Sequence, residues 1–383
     1  SRLYTLLARS AGGEHTLHVG RVVTPTVALV YQRDKEIEAF QPSPYYEVTA
    51  NIMVQRGQFK AKWSCPEDMA DSEGRCTNKG YAQQVAQSVG GQHGRVVSVD
   101  QKKRKESAPL PFDLTSLQQY AAKRWGYTAQ EVLDTAQSLY ETHKLISYPR
   151  TDSRYLPDSQ HADVPGILQS LSRTDPSFSG ICAGADTSIK GRAFNDEKVS
   201  AHNAIIPTQK VGDLSQLTER ENQIYDAVRR FYVAQFYEPY QFESTDVVVH
   251  IGGSAQQSPH EFVAKGKVPL AMGWKVLFQE ASEHDPKDEA EEKEEDRTLP
   301  AMSEGEAAQA RNAECQDKMT RPAPHFTEAT LLAAMENISR FVQEPQFKRI
   351  LKETSGIGTP ATRAGIIEGA IQKGYLKREK RTI

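Results

Sequence analysis

Asp113–Ser153, DLTSLQQYAAKRWGYTAQEVLDTAQSLYETHKLISYPRTDS, holds two helical periods, a Gly-Tyr-Thr turn between them and an extended basic end. Asp113 fits the N-cap of a helix over 114–124. Thr128 fits the N-cap of a second over 129–142, and Glu131, three residues on, completes a capping box. Beyond that helix the chain reads Ile146-Ser147-Tyr148-Pro149-Arg150-Thr151-Asp152-Ser153. Pro149 disfavours helical angles at Tyr148 and holds it extended. In an extended chain residues two apart share a face, so Tyr148 and Arg150 point the same way, with Asp152 beside them. A phenol, with pKa about 10, needs its developing phenolate stabilised before it can act as a nucleophile. A guanidinium is always charged, and its fork fits phosphate oxygens. The pair therefore suits attack on a phosphodiester. Taken alone, the same residues read more simply as a turn after a helix, with Tyr148 half-buried and Arg150 solvated.

A similar outline recurs over 327–382: a helix, Gly-Thr-Pro, a second helix, and Gly-Tyr-Leu-Lys-Arg-Glu-Lys-Arg-Thr. Helix–turn–helix followed by an extended basic strand is the outline of a winged-helix unit. Two ordinary helical hairpins with basic ends fit the pattern equally. Within the second copy, Gly356-Ile357-Gly358-Thr359-Pro360-Ala361 imitates a dinucleotide fingerprint, but it follows a helix and not a strand, so that reading fails. Thr359 as N-cap, Pro360 at the first helical position and Arg363 in the first turn make a phosphate-binding corner, or a cap and nothing more. The same logic applies to His18, Val19, Gly20, Arg21 and Thr24 before a helix over 25–38. In Ser200–Thr208, SAHNAIIPT, His202 leads a short apolar run. It could contact a phosphate or relay a proton, although a histidine capping a buried segment is the commoner use.

Strand alternation covers 45–54, with 59–63 as a hairpin partner, and returns at 95–101, 243–251, 262–265 and 275–279. A short helix falls at 80–89, helical character fills most of 111–236, and further helices follow at 327–338, 345–354 and 360–373. The β segments flank the middle helical block, which makes that block an insertion into a β-rich unit. The expected fold is α+β and multidomain: 1–40 as the first part of a helical domain, 41–105 as the first part of a β-rich domain, and 106–240 as a helical domain carrying Tyr148. Residues 241–310 would complete the β-rich domain, with an acidic disordered loop at 282–298. Residues 311–383 would complete the winged-helix-like domain.

The 383 residues exceed one ordinary core, and 38% hydrophobic with 25% charged residues describes a globular chain. No run of about 18 apolar residues is present to span a membrane. The opening Ser1-Arg2-Leu3-Tyr4 has no apolar segment behind it, so it is no signal peptide, and the missing initiator methionine hints at a fragment. Cys65, Cys76, Cys182 and Cys315 contain no Cys-x-x-Cys pair and read as free thiols, with a Cys65–Cys76 bridge as the alternative. The net charge is −3, but nine acids against two lysines between Glu283 and Asp296 contribute −7, leaving the rest mildly basic. That balance permits a polyanion as partner. No phosphate-loop motif and no Asp-x-Asp pair or histidine cluster occurs, so neither nucleotide hydrolysis nor a metal site is expected in this chain.

Together and in this order, SRLYTLLAR, VGRVVTPTVALVYQRDKEIEAF, PLPFDLTSLQ, ISYPRTDSRYLP, AHNAIIPT, LTERENQIYDAVRRFY and TSGIGTPATRAGIIEGAIQKGYL resemble blocks of the type IA DNA topoisomerases, and among them the bacterial topoisomerase III branch. The resemblance implies an arch of helical, CAP-like domains around a β-rich hinge. It implies that Tyr148 attacks one strand to form a 5′-phosphotyrosine, with Arg150 and His202 on the attacked phosphate. His18, Val19, Gly20, Arg21, Thr24, Thr359 and Arg363 would hold the strand. The implied activity is ATP-independent relaxation of negative supercoils and unlinking of catenated DNA, with single-stranded DNA as partner and a helicase or single-strand-binding protein nearby. A monomer in the bacterial cytoplasm, associated with nucleoid or plasmid, is expected. Mg2+ is implied as cofactor, held by an acidic TOPRIM domain that has no counterpart here. The chain alone is thus expected to bind single strands weakly without relaxing DNA. The family usually has Gln at the position of Val23, which puts one strand contact there in question. A non-catalytic winged-helix DNA-binding or scaffold protein is the rival reading. A tyrosine recombinase is a weaker one, because Tyr148 lies mid-chain.

Overall fold

Alternating apolar residues make the β unit. In Pro44–Val54 (β1), Val48, Ala50, Ile52 and Val54 are buried at every second position, and in Gly57–Trp63 (β2) Phe59, Ala61 and Trp63 do the same. His93–Glu106 (β3), Tyr240–Ile251 (β4), His260–Ala271 (β5) and Ala307–Met319 (β6) complete a closed antiparallel barrel in the order β1-β2-β5-β4-β3-β6. Val96, Val247, Val249, Ile251 and Phe262 fill its interior with the β1 and β2 residues. The computed structural model describes residues 2–12, 20–253, 258–281, 298–352 and 356–383. His18 and Val19, and the acidic stretch up to residue 297, lie outside them.

The helices, in chain order, are Arg2–Ser10 (α1), Val23–Ala39 (α2), Lys79–Val89 (α3), Leu114–Trp125 (α4), Ala129–Glu141 (α5), Val164–Thr174 (α6), Ser179–Ala183 (α7), Glu219–Val233 (α8), Glu328–Glu336 (α9), Pro345–Lys352 (α10) and Pro360–Gln372 (α11). Helix α3 sets Ala82, Val85 and Val89 into the barrel core. Around α4–α8 a second core gathers Leu117, Val132, Leu139, Leu145, Ile146, Ile167, Leu171, Val228 and Phe236. A third joins Leu29 and Val30 of α2 with Leu331, Leu332 and Met335 of α9 and Ala364, Ile367 and Ala370 of α11.

That third core also contains Leu114, Ala129 and Leu133, which come from the α4–α5 hairpin. Its polar edge is a shared cap. The Glu328 carboxylate accepts from the Ala129 N–H at 3.0 Å and from Arg378 at 3.1 Å. A residue at the start of α9 thereby closes the start of α5, where the dipole favours negative charge.

Two expectations fail. Residues 275–279 belong to a 3₁₀ helix, Gly273–Ala281, and not to a strand. Trp274 and Phe278 stack edge-on at 5.7 Å, Leu277 is buried beside Ala108 and Ala234, and the indole of Trp274 donates to the Glu106 carbonyl at 2.9 Å. Aromatic residues four apart pack on one helical face, and here that packing overrides their strand preference. The barrel also runs to Met319, past position 310. β6 gives its core Ala308 and Ala310, with Ala313 and Cys315 packed against it, so the inward face lacks the bulky residues that announce a strand.

All four cysteines are free. The Cys65 thiol is pushed up to about 12 by burial and by the neighbouring Cys76 thiol, so Cys65 is no ready nucleophile. The two helix–turn–helix outlines are present, but their extended ends pair through isolated bridges, Ile146–Pro207 in the first and Thr327–Thr382 with Glu379–Thr382 in the second.

Candidate active site

The local sequence around Tyr148 is fixed by caps and by one serine. Asp113 accepts from the Ser116 N–H at 2.7 Å, and Thr128 and Glu131 exchange backbone bonds at 3.1 and 2.8 Å. These set where α4 and α5 begin. After α5 the chain turns through Lys144 at positive φ, and Ser147 then clamps the segment to 204–207. The Ser147 N–H donates to the Ile206 carbonyl at 2.8 Å, its hydroxyl donates to the Ala204 carbonyl at 2.9 Å, and it accepts from the Ile206 N–H at 2.9 Å. This clamp brings the loop bearing His202 against Tyr148.

Tyr148 is half-buried and stays outside the apolar core. Its ring lies 4.9 Å from the His202 ring at an interplanar angle of 34°, and 5.6 Å from Tyr140, edge-on. Arg150 is exposed and donates to the Gln137 amide oxygen at 2.8 Å. Gln137 and Tyr140 are three residues apart on α5 and share a face. Tyr148 and Arg150 therefore sit over the same side of that helix. His202 is also exposed.

Asp152 extends the site. Its carboxylate accepts from the Ser200 hydroxyl at 2.6 Å, two residues before His202. Asp152 also lines a cleft of about 800 Å³ with Asp113, Glu336, Arg340, Lys348 and Arg363. The acids come from one wall and the end of α9, and the bases come from the α10–α11 side. Arg363 is 1% exposed, and its guanidinium donates to the Thr115 hydroxyl at 2.8 Å and to the Ile357 carbonyl at 3.2 Å. Burial pulls its pKa down, opposed by the carboxylates of Glu336 and Asp113. An open first-turn arginine is thus not what the structure holds. Arg363 forms the cleft floor, and a phosphate would have to displace one of these bonds.

The other predicted residues gather at two adjacent helix starts. A side-chain carbon at Gly358 would stand 3.5 Å from Val22, so the start of α2 lies beside the start of α11. Arg21 is exposed there. The Thr24 hydroxyl accepts from the Gly20 N–H at 3.0 Å, and the Thr359 N–H donates to Thr362 at 2.8 Å. Val23 packs on the third core. Sequence reasoning missed Gln137, Tyr140, Ser147 and Thr115. The i, i+3 spacing of Gln137 and Tyr140 was the available signal for the first two. Among the described residues no group of three His, Cys, Asp or Glu side chains is placed to hold a metal ion, and the cleft acids form no such group.

Ser147→Ala should cost about 1–3 kcal/mol, because the buried Ile206 N–H loses its acceptor. Chemical denaturation reads this directly. A change under about 0.5 kcal/mol would remove the serine clamp from the account of how His202 is held.

A family model described as DNA topoisomerase matches residues 1–383. DNA topoisomerase 3 of Vibrio cholerae is 40% identical over 390 residues, which cover 100% of this chain and 58% of that protein. DNA topoisomerase 3 of Bacillus subtilis is 35% identical over 371 residues, covering 96% of this chain and 49% of that protein. The structure of full-length topoisomerase I from Thermotoga maritima matches with a TM-score of 0.66 at 21% identity, over 96% of this chain and 53% of that one, which is a likeness of fold. The chain spans 58% or less of the length of these relatives.

Proposed function

Because the chain belongs to the bacterial type IA DNA topoisomerase family, we propose that Tyr148 is the nucleophile of a single-strand DNA break. The phenolic oxygen attacks phosphorus, the bond to the 3′ oxygen breaks, and the 5′ phosphate stays on the tyrosine. Resealing reverses the step, and the bond energy is kept in the phosphotyrosine, so no nucleotide is consumed. His202, its ring tilted against that of Tyr148 at 4.9 Å, would contact the attacked phosphate or carry the proton between the phenol and the leaving oxygen. Arg150, on the same side of α5, exchanges Gln137 for a phosphate oxygen and offsets the charge that develops there. The Tyr148–His202 ring contact beside an exposed guanidinium is the observation that carries this reading.

The strand would lie in the cleft past Arg363, with Arg21, Gly20, Thr24 and Thr359 at its backbone, and His18 and Val19 are proposed with them. The barrel would serve as the hinge between the helical parts. Relaxation of negative supercoils and unlinking of catenated DNA are proposed as the activity of a protein of the relatives' length. A helicase or single-strand-binding protein is proposed as its partner, and the cytoplasm as its place. No described helix is long and apolar enough to cross a membrane. The described residues do not fit a Mg2+ site, so no step here runs through the metal.

The polarity of the break tests the reading. In a protein of the relatives' length, a strand labelled at its 3′ end should leave its label on the protein, and one labelled at its 5′ end should not. Label transfer from the 5′ end, or from neither end, would overturn it.

A further inference from the structure

Among the described residues most helices bury an apolar face, but two do not: α1, with Leu6 55% and Leu7 57% exposed, and α10, which borders the cleft. In PQFKRILK, Phe347, Ile350 and Leu351 share one face at i, i+3 and i+4. Yet Phe347 is 51% and Ile350 57% exposed, and none of the described α10 side chains is fully buried. Just before it, Phe341 is 44% exposed, 6.4 Å from Phe326. A helix of eight residues is too short to hold its shape by hydrogen bonds alone. An uncovered apolar ridge on such a helix marks a contact surface.

Charge tells what covers it. Ile338–Lys352 carries Arg340, Lys348, Arg349 and Lys352 against the single acid Glu344, whereas the whole chain is net negative. Arg340, Lys348 and Leu351 of this same segment line the cleft that leads to Asp152. Exposed aromatic rings alternating with cations, at the lip of a groove, match a polyanion that carries flat apolar faces. That describes an unpaired nucleic-acid strand, with phosphates on the cations and bases on the rings. A purely apolar protein partner would cover the rings but offer nothing to Arg340 and Lys348, which face the cleft.

We propose that Phe341 and Phe347 stack unpaired bases of the strand that enters the cleft, while Arg340 and Lys348 hold the intervening phosphates. This rests on the reading that a single strand occupies the cleft. The ring faces are indifferent to base identity, so the segment would grip any sequence and would reject paired bases, whose faces are covered.

The test compares two probes on the purified chain by fluorescence anisotropy: a short oligothymidylate, and an abasic strand of the same length and charge. The wild-type chain should favour the thymidylate by about tenfold, the scale of one or two stacked bases. Phe341→Leu with Phe347→Leu keeps the apolar bulk and removes the rings. It should bring thymidylate binding to the abasic level, leave abasic binding unchanged, and leave the thermal midpoint in place. Lys348→Ala should weaken both probes alike and flatten the salt dependence. If the double leucine variant keeps the full preference for bases, stacking is overturned and the ridge belongs to a protein contact, while the strand-in-cleft reading survives. If the wild-type chain binds neither probe, both fall.

Discussion

Replacing Tyr148 by phenylalanine, in a protein of the relatives' length, should reduce covalent DNA capture by a factor on the order of a thousand or more, because the attacking atom is removed. The substitution deletes one oxygen. The ring that packs on His202 and Tyr140 remains, so the loop around 200–203 keeps its place and strand affinity should change by less than about threefold. Capture is read as a protein–DNA adduct that survives denaturant. His202→Ala and Arg150→Ala should each leave measurable capture, reduced by about ten- to a thousandfold, since they assist the phosphate or the proton and do not form the bond. Adduct formation undiminished in Tyr148→Phe would take the tyrosine out of the mechanism. It would favour the rival reading, in which the helix–turn–helix units bind DNA without cutting it.

What made Tyr148 legible was local. Pro149 restricts one dihedral, Glu131 sits three residues from Thr128, and Asp113 precedes a helical period. Each of these rules acts over a few residues; both caps hold in the structure, and Tyr148 lies outside any helix. The barrel strands followed from alternation wherever large residues fill the interior, as with Val48, Ile52 and Val54 of β1. Where the barrel wall is made of alanines, in β6, alternation carries no signal, because a small inward residue is chosen for the space its neighbours leave. The 3₁₀ turn at Trp274 likewise depends on Glu106 and Ala108, far away in sequence.

The site was half legible for the same reason. Spacing placed Tyr148 and Arg150 on one side, but the chain from Ser147 to Ile206 that delivers His202 spans 59 residues of sequence separation. No periodicity reports such a pairing. Arg363 depends on the assembled cores as well. Its place in the first turn of a helix follows from its neighbours alone, but only the partner Thr115, 248 residues away, reveals that its side chain is internal. Contacts of this kind are properties of the assembled cores and not of either segment.

Gly356→Ala should destabilise the chain by roughly 3–5 kcal/mol and weaken strand binding at the same time. Gly356 adopts φ +84, in the left-handed region that costs a residue with a side chain about 1–2 kcal/mol. The added carbon would stand 2.3 Å from the Met335 carbonyl and 2.5 Å from that of Glu336. Both are backbone atoms at the end of α9, so no rotamer change relieves the clash, and the helix end itself must move. The Ile357 N–H that satisfies the Met335 carbonyl at 2.7 Å moves with it. Glu336 lines the cleft, and Arg363 is held by the carbonyl of Ile357. Displacing this turn therefore shifts the floor and one wall of the cleft together. Gly358→Ala is the internal comparison. Its φ is +69, but its added carbon would meet the Ile366 side-chain end at 2.9 Å, which can rotate away. That variant should lose only the cost of the backbone conformation, about 1–2 kcal/mol. The two values, taken from denaturant unfolding with oligothymidylate affinity measured in parallel, separate backbone strain from steric collision. Equal, small losses in both variants would mean that α9 and the glycine turn are not packed as described, and the coupling between that turn and the cleft would go with them.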